Sequence, residues 1–164
     1  MEQYKIIQDF ENYEVSNLGN IRNKKTGKIL KPRIHKGYYD VNLSKNNKSY
    51  RKTVHRLIAE SFIDNPENKP YVDHINGDKL NNNINNLRYA TNQENQRNAK
   101  LSIKNTSSVK GVSFHKRDKK WQAQITIDGI KVHLGYYDNI EDAKQARITK
   151  AQQAFGVYIN SCEN

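Results

Sequence analysis

Residues 54–98 read VHRLIAESFIDNPENKPYVDHINGDKLNNNINNLRYATNQENQRN, and the order of local patterns along this stretch decides the fold. Val54, Leu57, Ile58 and Phe62 recur at helical spacing, which predicts an amphipathic helix that stops ahead of Asn65-Pro66. Tyr71-Val72-Asp73-His74 then reads as a short strand entering the Asn76-Gly77 turn. After an asparagine-rich segment (Asn81 to Asn83, Asn85, Asn86), Leu87-Arg88-Tyr89-Ala90 returns as a second strand. Thr91 is placed to cap a helix over 92–99, with Glu94 at the capping-box position.

The flanks differ in texture. Over 1–48, short apolar alternations such as Tyr38 to Leu43 are broken by Ser16-Asn17-Leu18-Gly19-Asn20 and Lys36-Gly37, which predicts a small β-rich module. Residues 101–109 are rich in Lys, Ser, Thr and Asn, lack a core-forming pattern and are expected to be a linker. In 110–160, Gly111 to His115, Trp121 to Ile127 and Lys131 to Tyr136 alternate as strands, with Asp128-Gly129 as a hairpin turn. Asn139 is the cap of a helix whose Ala143, Ala146, Ala151, Ala154 and Phe155 share a face, closed by Gly156. A three-stranded antiparallel sheet packed on one helix is the economical solution, so the chain is expected to be α+β and modular, divided at 1–48, 49–100, 101–109 and 110–160.

Composition narrows the partner. The 164 residues carry 28 Lys plus Arg against 17 Asp plus Glu, a formal charge of +11, and only 35% are apolar. The mean hydropathy is -1.01 and the pI about 9.6. Such a balance points to a polyanion, and with neither a basic amphipathic helix nor an apolar anchor the expected polyanion is nucleic acid, not a membrane. The lone Cys162 excludes a disulfide framework and a cysteine-rich zinc site. No apolar run near the N-terminus suits a leader or a span, so a reduced, intracellular setting is expected.

One constellation carries chemistry. Asp73-His74 is followed by Asn86 after the loop and by Asn95 on the next helix. A carboxylate and an amide oxygen can hold a hard cation such as Mg2+ or Mn2+. A neighbouring imidazole can take a proton from water. Neighbours on a strand diverge, so Asp73 can face the metal while His74 faces the water, and the Asn86 amide is expected to bond His74 and fix its tautomer. An isolated Asp-His pair among asparagines is also an ordinary solvated turn.

With Val54-His55-Arg56-Leu57 upstream and Asn86-Leu87-Arg88 in place, residues 54–98 resemble the HNH nuclease family, nearest to free-standing homing endonucleases of phage introns. The resemblance implies a ββα-metal core that cuts double-stranded DNA, with Asp73 and Asn95 as metal ligands, His74 as general base, Asn86 orienting it, and His55 as an accessory residue or a structural one. It also implies a monomer that nicks one strand in the cytoplasm of a bacterial host, encoded by a phage or mobile element. Tyr13-Glu14-Val15-Ser16-Asn17-Leu18-Gly19 resembles the small module that often precedes such domains, as DNA contact or as scaffold. Lys110-Gly111-Val112, Lys120 to Ile125 and Leu134-Gly135-Tyr136-Tyr137 resemble an AP2 domain, whose sheet enters the DNA major groove.

Strand parity places Val112, Phe114, Trp121, Ala123, Ile125, Ile127, Val132 and Leu134 against the helix. Ser113, His115, Gln122, Gln124, Thr126, Lys131 and His133 then face out as DNA-binding candidates, joined by Arg117 and Lys119 in the hairpin loop and by Arg88. The alternative from a different class is a DNA-binding regulator whose HNH portion is an inactive scaffold.

Overall fold

The computed structural model describes residues 1–99, 101, 105 and 107–156. Cys162, the last four residues of the expected 110–160 domain and four residues of the expected linker (102–104 and 106) lie outside the described residues. Two compact units, Met1–Asn92 and Gln93–Asn164, divide the chain.

In the first unit, β1 (Tyr4–Ile7), β2 (Phe10–Ser16) and β3 (Ile21–Asn23) form one antiparallel sheet, and β4 (Arg33–His35), β5 (Tyr38–Lys45) and β6 (Lys48–Thr53) form another. Both hairpins of the second sheet turn on two residues with positive φ, Lys36-Gly37 (50° and 81°) and Asn46-Asn47 (52° and 57°). That geometry matches the right-handed twist of the strands it joins, and it fixes the register His35↔Tyr38 and Lys45↔Lys48. α1 (Val54–Phe62) follows directly from β6, and β7 (Tyr71–His74) pairs with β8 (Leu87–Ala90) across the asparagine-rich loop.

The predicted apolar stripe of α1 is the buried one. Val54, Leu57 and Ile58 pack into one cluster with Ile7, Phe10, Val15, Ile21, Val41, Leu43 and Leu87. Each fully buried Leu or Ile here is worth about 1.5–3 kcal/mol relative to exposure. The first 48 residues therefore share a core with the helix and strands that follow, and the expected boundary at 48/49 falls inside β6.

In the second unit, β9 (Val112–His115), β10 (Lys120–Ile127) and β11 (Ile130–Tyr137) form an antiparallel sheet in the order β11-β10-β9, covered by α3 (Ile140–Phe155). The chain is thus of mixed α+β class, as expected, and Asp128-Gly129 makes the β10–β11 turn (φ 51° and 82°). Asn139 caps α3 by accepting from the Asp142 amide at 2.9 Å. The face of α3 that is buried comprises Ala143, Arg147, Ala151 and Phe155, with Ala146 and Ala154 half-buried. α2 (Asn92–Asn98) begins at the boundary between the units, and Arg97 on it lies 4.3 Å above the Phe155 ring and 3.2 Å from Asp128 Oδ1.

Two expectations need correction here. Val109, assigned to the linker, is a core residue packed with Val112, Ala123 and Ala143, and the buried Ser107 hydroxyl donates to the Val112 carbonyl at 2.6 Å. A single small apolar residue in a polar run gives no periodicity, so its burial was invisible locally. Phe114, expected against α3, is 46% exposed and meets Trp121 edge to face at 5.2 Å.

Candidate active site

β7 and β8 deliver the candidate residues in fixed register, with Asp73 opposite Arg88 and His74 opposite Leu87. Asp73 and His74 are both buried, each 5% exposed. Two neighbouring buried polar residues on one strand require partners on both sides. Asp73 Oδ2 accepts from Arg88 Nε at 2.9 Å and sits 2.8 Å from Arg88 Nη2. Arg88, expected at the DNA, thus lies inward against the carboxylate, because its register partner on β7 is the acid itself.

His74 faces the other way. Its Nε2 lies 3.3 Å from Asn82 Oδ1, and its ring meets His55 edge to face at 5.2 Å, with Tyr38 at 6.1 Å. Tyr38 in turn packs on His55 at 4.9 Å. Burial pushes the His74 pKa below its ordinary value, against the opposing pull of the Asn82 contact and the Asp73 and Asp78 charges, while Lys79 adds to the lowering. His55, also buried, is lowered to about 4, first by burial and then by His74 and Arg56. At neutral pH both imidazoles are therefore neutral, the state in which a ring nitrogen accepts a proton.

The side-chain oxygen beside His74 Nε2 is that of Asn82, where Asn86 was expected. Asn86 instead closes the loop on which His74 depends. Its amide donates to the Asn81 carbonyl at 2.8 Å, its Oδ1 accepts from the Asn76 amide at 3.0 Å, and its carbonyl accepts from the Ile75 amide at 2.8 Å. The other asparagines explain how so polar a segment holds one shape. Asn76, Asp78, Asn81 and Asn83 each accept, through a side-chain oxygen, from the amide two residues on, at 2.8, 3.0, 3.3 and 3.0 Å. Such turns give a loop backbone the bonds that a strand or helix would otherwise supply.

The N-terminal motif braces this loop. The Ile84 amide donates to the Asn17 carbonyl at 2.9 Å, and a Cβ on Gly19 would lie 3.2 Å from Asn82 Cβ. Tyr13 to Gly19 therefore backs the segment that carries the His74 partner. Asn95 is half-buried on α2 and belongs to the second unit. Among the described residues, no group of three or more His, Cys, Asp or Glu side chains could hold a metal ion. A carboxylate oxygen such as that of Asp73 and an amide oxygen such as that of Asn95 are each of the donor type that a hard divalent cation takes.

On the second unit, Val112, Ala123 and Ile125 are buried and Trp121, Ile127, Val132 and Leu134 half-buried, so that all the expected inward set but Phe114 is covered. Ser113, Thr126, Lys131 and His133 are exposed, and His115, Gln122 and Gln124 half-buried. A register shift between Ala123 and Gln124 brings Tyr136 onto the same face, a residue that strict alternation missed. His133 and His115 lie 4.8 and 5.4 Å from its ring, and Gln122 Nε2 is 3.3 Å from His133 Nδ1. Gln122, Gln124, Lys131, His133 and Tyr136 line one shallow hollow. Arg117 and Lys119 are exposed in the β9–β10 turn, Arg117 paired with Asp118 at 2.9 Å. Among the described residues no helix is long and apolar enough to cross a membrane.

Residues 2–44 match the NUMOD4 motif and residues 52–97 match the HNH endonuclease family. The chain is 48% identical over 97 residues to an uncharacterised HNH endonuclease of Acanthamoeba polyphaga mimivirus, covering 59% of this chain and 29% of that protein. It is 42% identical over 99 residues to the DNA endonuclease I-HmuI of Bacillus phage SP01, covering 57% of each. These matches thus span less than two thirds of the length of either curated relative. A solved structure described as DNA binding and cleavage by the HNH homing endonuclease I-HmuI aligns with a TM-score of 0.56 at 30% identity, covering 94% of this chain and 92% of that one.

Proposed function

Because the chain belongs to the HNH endonuclease family, we propose that it is a site-recognising endonuclease of the homing type that hydrolyses one phosphodiester bond of duplex DNA and nicks one strand. The observation that carries this reading is the buried Asp73-His74 pair, whose members are held from opposite sides by Arg88 and Asn82.

In this reading the neutral His74 takes the proton of the attacking water. An Nε2–H donated to Asn82 Oδ1 would favour the tautomer whose basic nitrogen is Nδ1. Asn86 acts one step back, by closing the loop that places Asn82. Arg88 fixes the orientation of the Asp73 carboxylate. Asp73 and Asn95 would hold Mg2+ or Mn2+, and that cation would offset the charge that builds on the phosphate and on the leaving 3′ oxygen. His55 keeps the His74 ring in place through packing. The products would carry 5′-phosphate and 3′-hydroxyl ends.

The outward face of β9–β11 serves as the DNA-reading surface in the manner of an AP2 domain. Ser113, His115, Gln122, Gln124, Thr126, Lys131 and His133 supply donors and acceptors at base edges, and Arg117 and Lys119 meet phosphates. The chain acts as a monomer, in the cytoplasm of a bacterial host, from a phage or mobile-element gene.

The test is cleavage of supercoiled plasmid with Mg2+, with Mn2+ and with EDTA, comparing the unaltered chain with Asp73→Ala. Metal-dependent nicking that disappears in the variant while DNA binding persists supports the reading. Tight DNA binding without cleavage under any of these conditions would move the assignment to a non-catalytic regulator.

A further inference from the structure

The loop after β7 carries one cation that the chemistry above does not use. Lys79 is exposed, and its Nζ lies 4.6 Å above the ring centre of Tyr38. That same ring packs on His55 at 4.9 Å and stands 6.1 Å from His74. The stem of Lys79 runs beside the β4–β5 turn, where a Cβ on Gly37 would lie 3.8 Å from its Cδ. The β4–β6 sheet therefore supplies a platform for a lysine that comes from the nuclease loop.

Two other cations of this unit have partners of their own. Arg88 pairs with Asp73, and Arg56 donates to the Pro70 carbonyl at 3.3 Å. No carboxylate pairs with Lys79 among the described residues, whose recorded partner is the Tyr38 ring. A ring face holds an ammonium in place without neutralising it. An exposed lysine seldom keeps one position, since holding its long side chain costs rotamer entropy. Here that position is on the ring that stands 6.1 Å from the imidazole that would deprotonate the attacking water, within reach of the lysine's charge, and the phosphorus under attack must lie within a water's width of that imidazole.

We propose that Lys79 binds the scissile phosphate and stabilises the charge that develops on it, and that Tyr38 is the positioning residue that holds Lys79 beside His74. This inference rests on the endonuclease reading above. It assigns the β4–β6 sheet a part in the chemical step, beside the part that Tyr13 to Gly19 plays in bracing the loop.

The experiment measures single-turnover nicking of supercoiled plasmid by the full chain at saturating protein with Mg2+, alongside DNA affinity. Lys79 is exposed, so its substitution leaves the core intact. Lys79→Ala is expected to slow nicking by about 100-fold, as for loss of one charge-stabilising donor, with affinity reduced less than about tenfold, as for loss of one phosphate contact among several. Lys79→Arg should recover most of the rate. In a Tyr38→Ala background Lys79→Ala should cost much less than it does alone. The proposal is overturned if Lys79→Ala nicks at the unaltered rate, if its whole defect lies in affinity, if arginine restores nothing, or if the two substitutions simply add. An unaltered chain that never cleaves would instead refute the endonuclease reading, and this inference with it.

Discussion

Lowering the pH should destabilise the first unit through His55, by an amount the structure sets. His55 is 7% exposed, and its Nδ1 has no hydrogen-bond partner among the described residues. Folded His55 titrates near 4, against an ordinary 6.5, because burial disfavours the imidazolium and His74 and Arg56 add repulsion. As pH falls below about 6.5 the unfolded chain takes up this proton while the folded chain does not, so stability drops through the window and the contribution is gone below about 4. The gap between 6.5 and about 4, at about 1.36 kcal/mol per pH unit, amounts to about 3 kcal/mol. The assay is urea unfolding in EDTA at several pH values between 7.5 and 4, for the unaltered chain and for His55→Gln, followed through the methyl resonances of Val54 and Ile58. Those signals report the first unit, whereas the single tryptophan, Trp121, reports the second. The unaltered chain should lose about 3 kcal/mol more than the variant across the window, carboxylate titrations being common to both. Equal losses would refute the account of His55 as a residue buried neutral.

Further outcomes follow from other contacts. Arg88→Met leaves the buried Asp73 carboxylate without its cation and should cost about 3–5 kcal/mol of first-unit stability, whereas Arg88→Met/Asp73→Leu should recover much of it; equal losses in single and double variants would count against the pair. Asn86→Ala strips partners from the Asn76 amide and the Asn81 carbonyl, so it should lower stability by about 2–4 kcal/mol and accelerate amide exchange at Ile75, Asn76 and Gly77. Gly111→Ala would place a Cβ 2.1 Å from the Gln124 carbonyl oxygen at a φ of 65°, and should lower second-unit stability by more than about 2 kcal/mol, read by Trp121 fluorescence.

Much of the fold was legible because it is written locally. The stripe of α1, the β7 and β8 strands, the Asp128-Gly129 turn and the Asn139 cap each depend on residues a few positions apart, and each forms where expected. Tertiary packing decided the rest. Asn82 and Asn86 belong to one asparagine run, and only the folded loop distinguishes the one that meets His74 from the one that closes the backbone. Arg88 reads as a free basic residue until strand register sets it opposite Asp73. Tyr38 lies 36 positions before His74, so its place in the site depends on long-range packing alone. Tyr136 needed the shift of register beside Gly135, which strict alternation cannot foresee.

The most direct test of the central claim is strand cleavage by the full chain and by His74→Ala, with DNA affinity measured in the same buffer. Mg2+- or Mn2+-dependent nicking is expected to fall by at least about 100-fold in the variant, in line with the loss of a general base, at unchanged affinity. Nicking that survives in His74→Ala at the unaltered rate would contradict the claim.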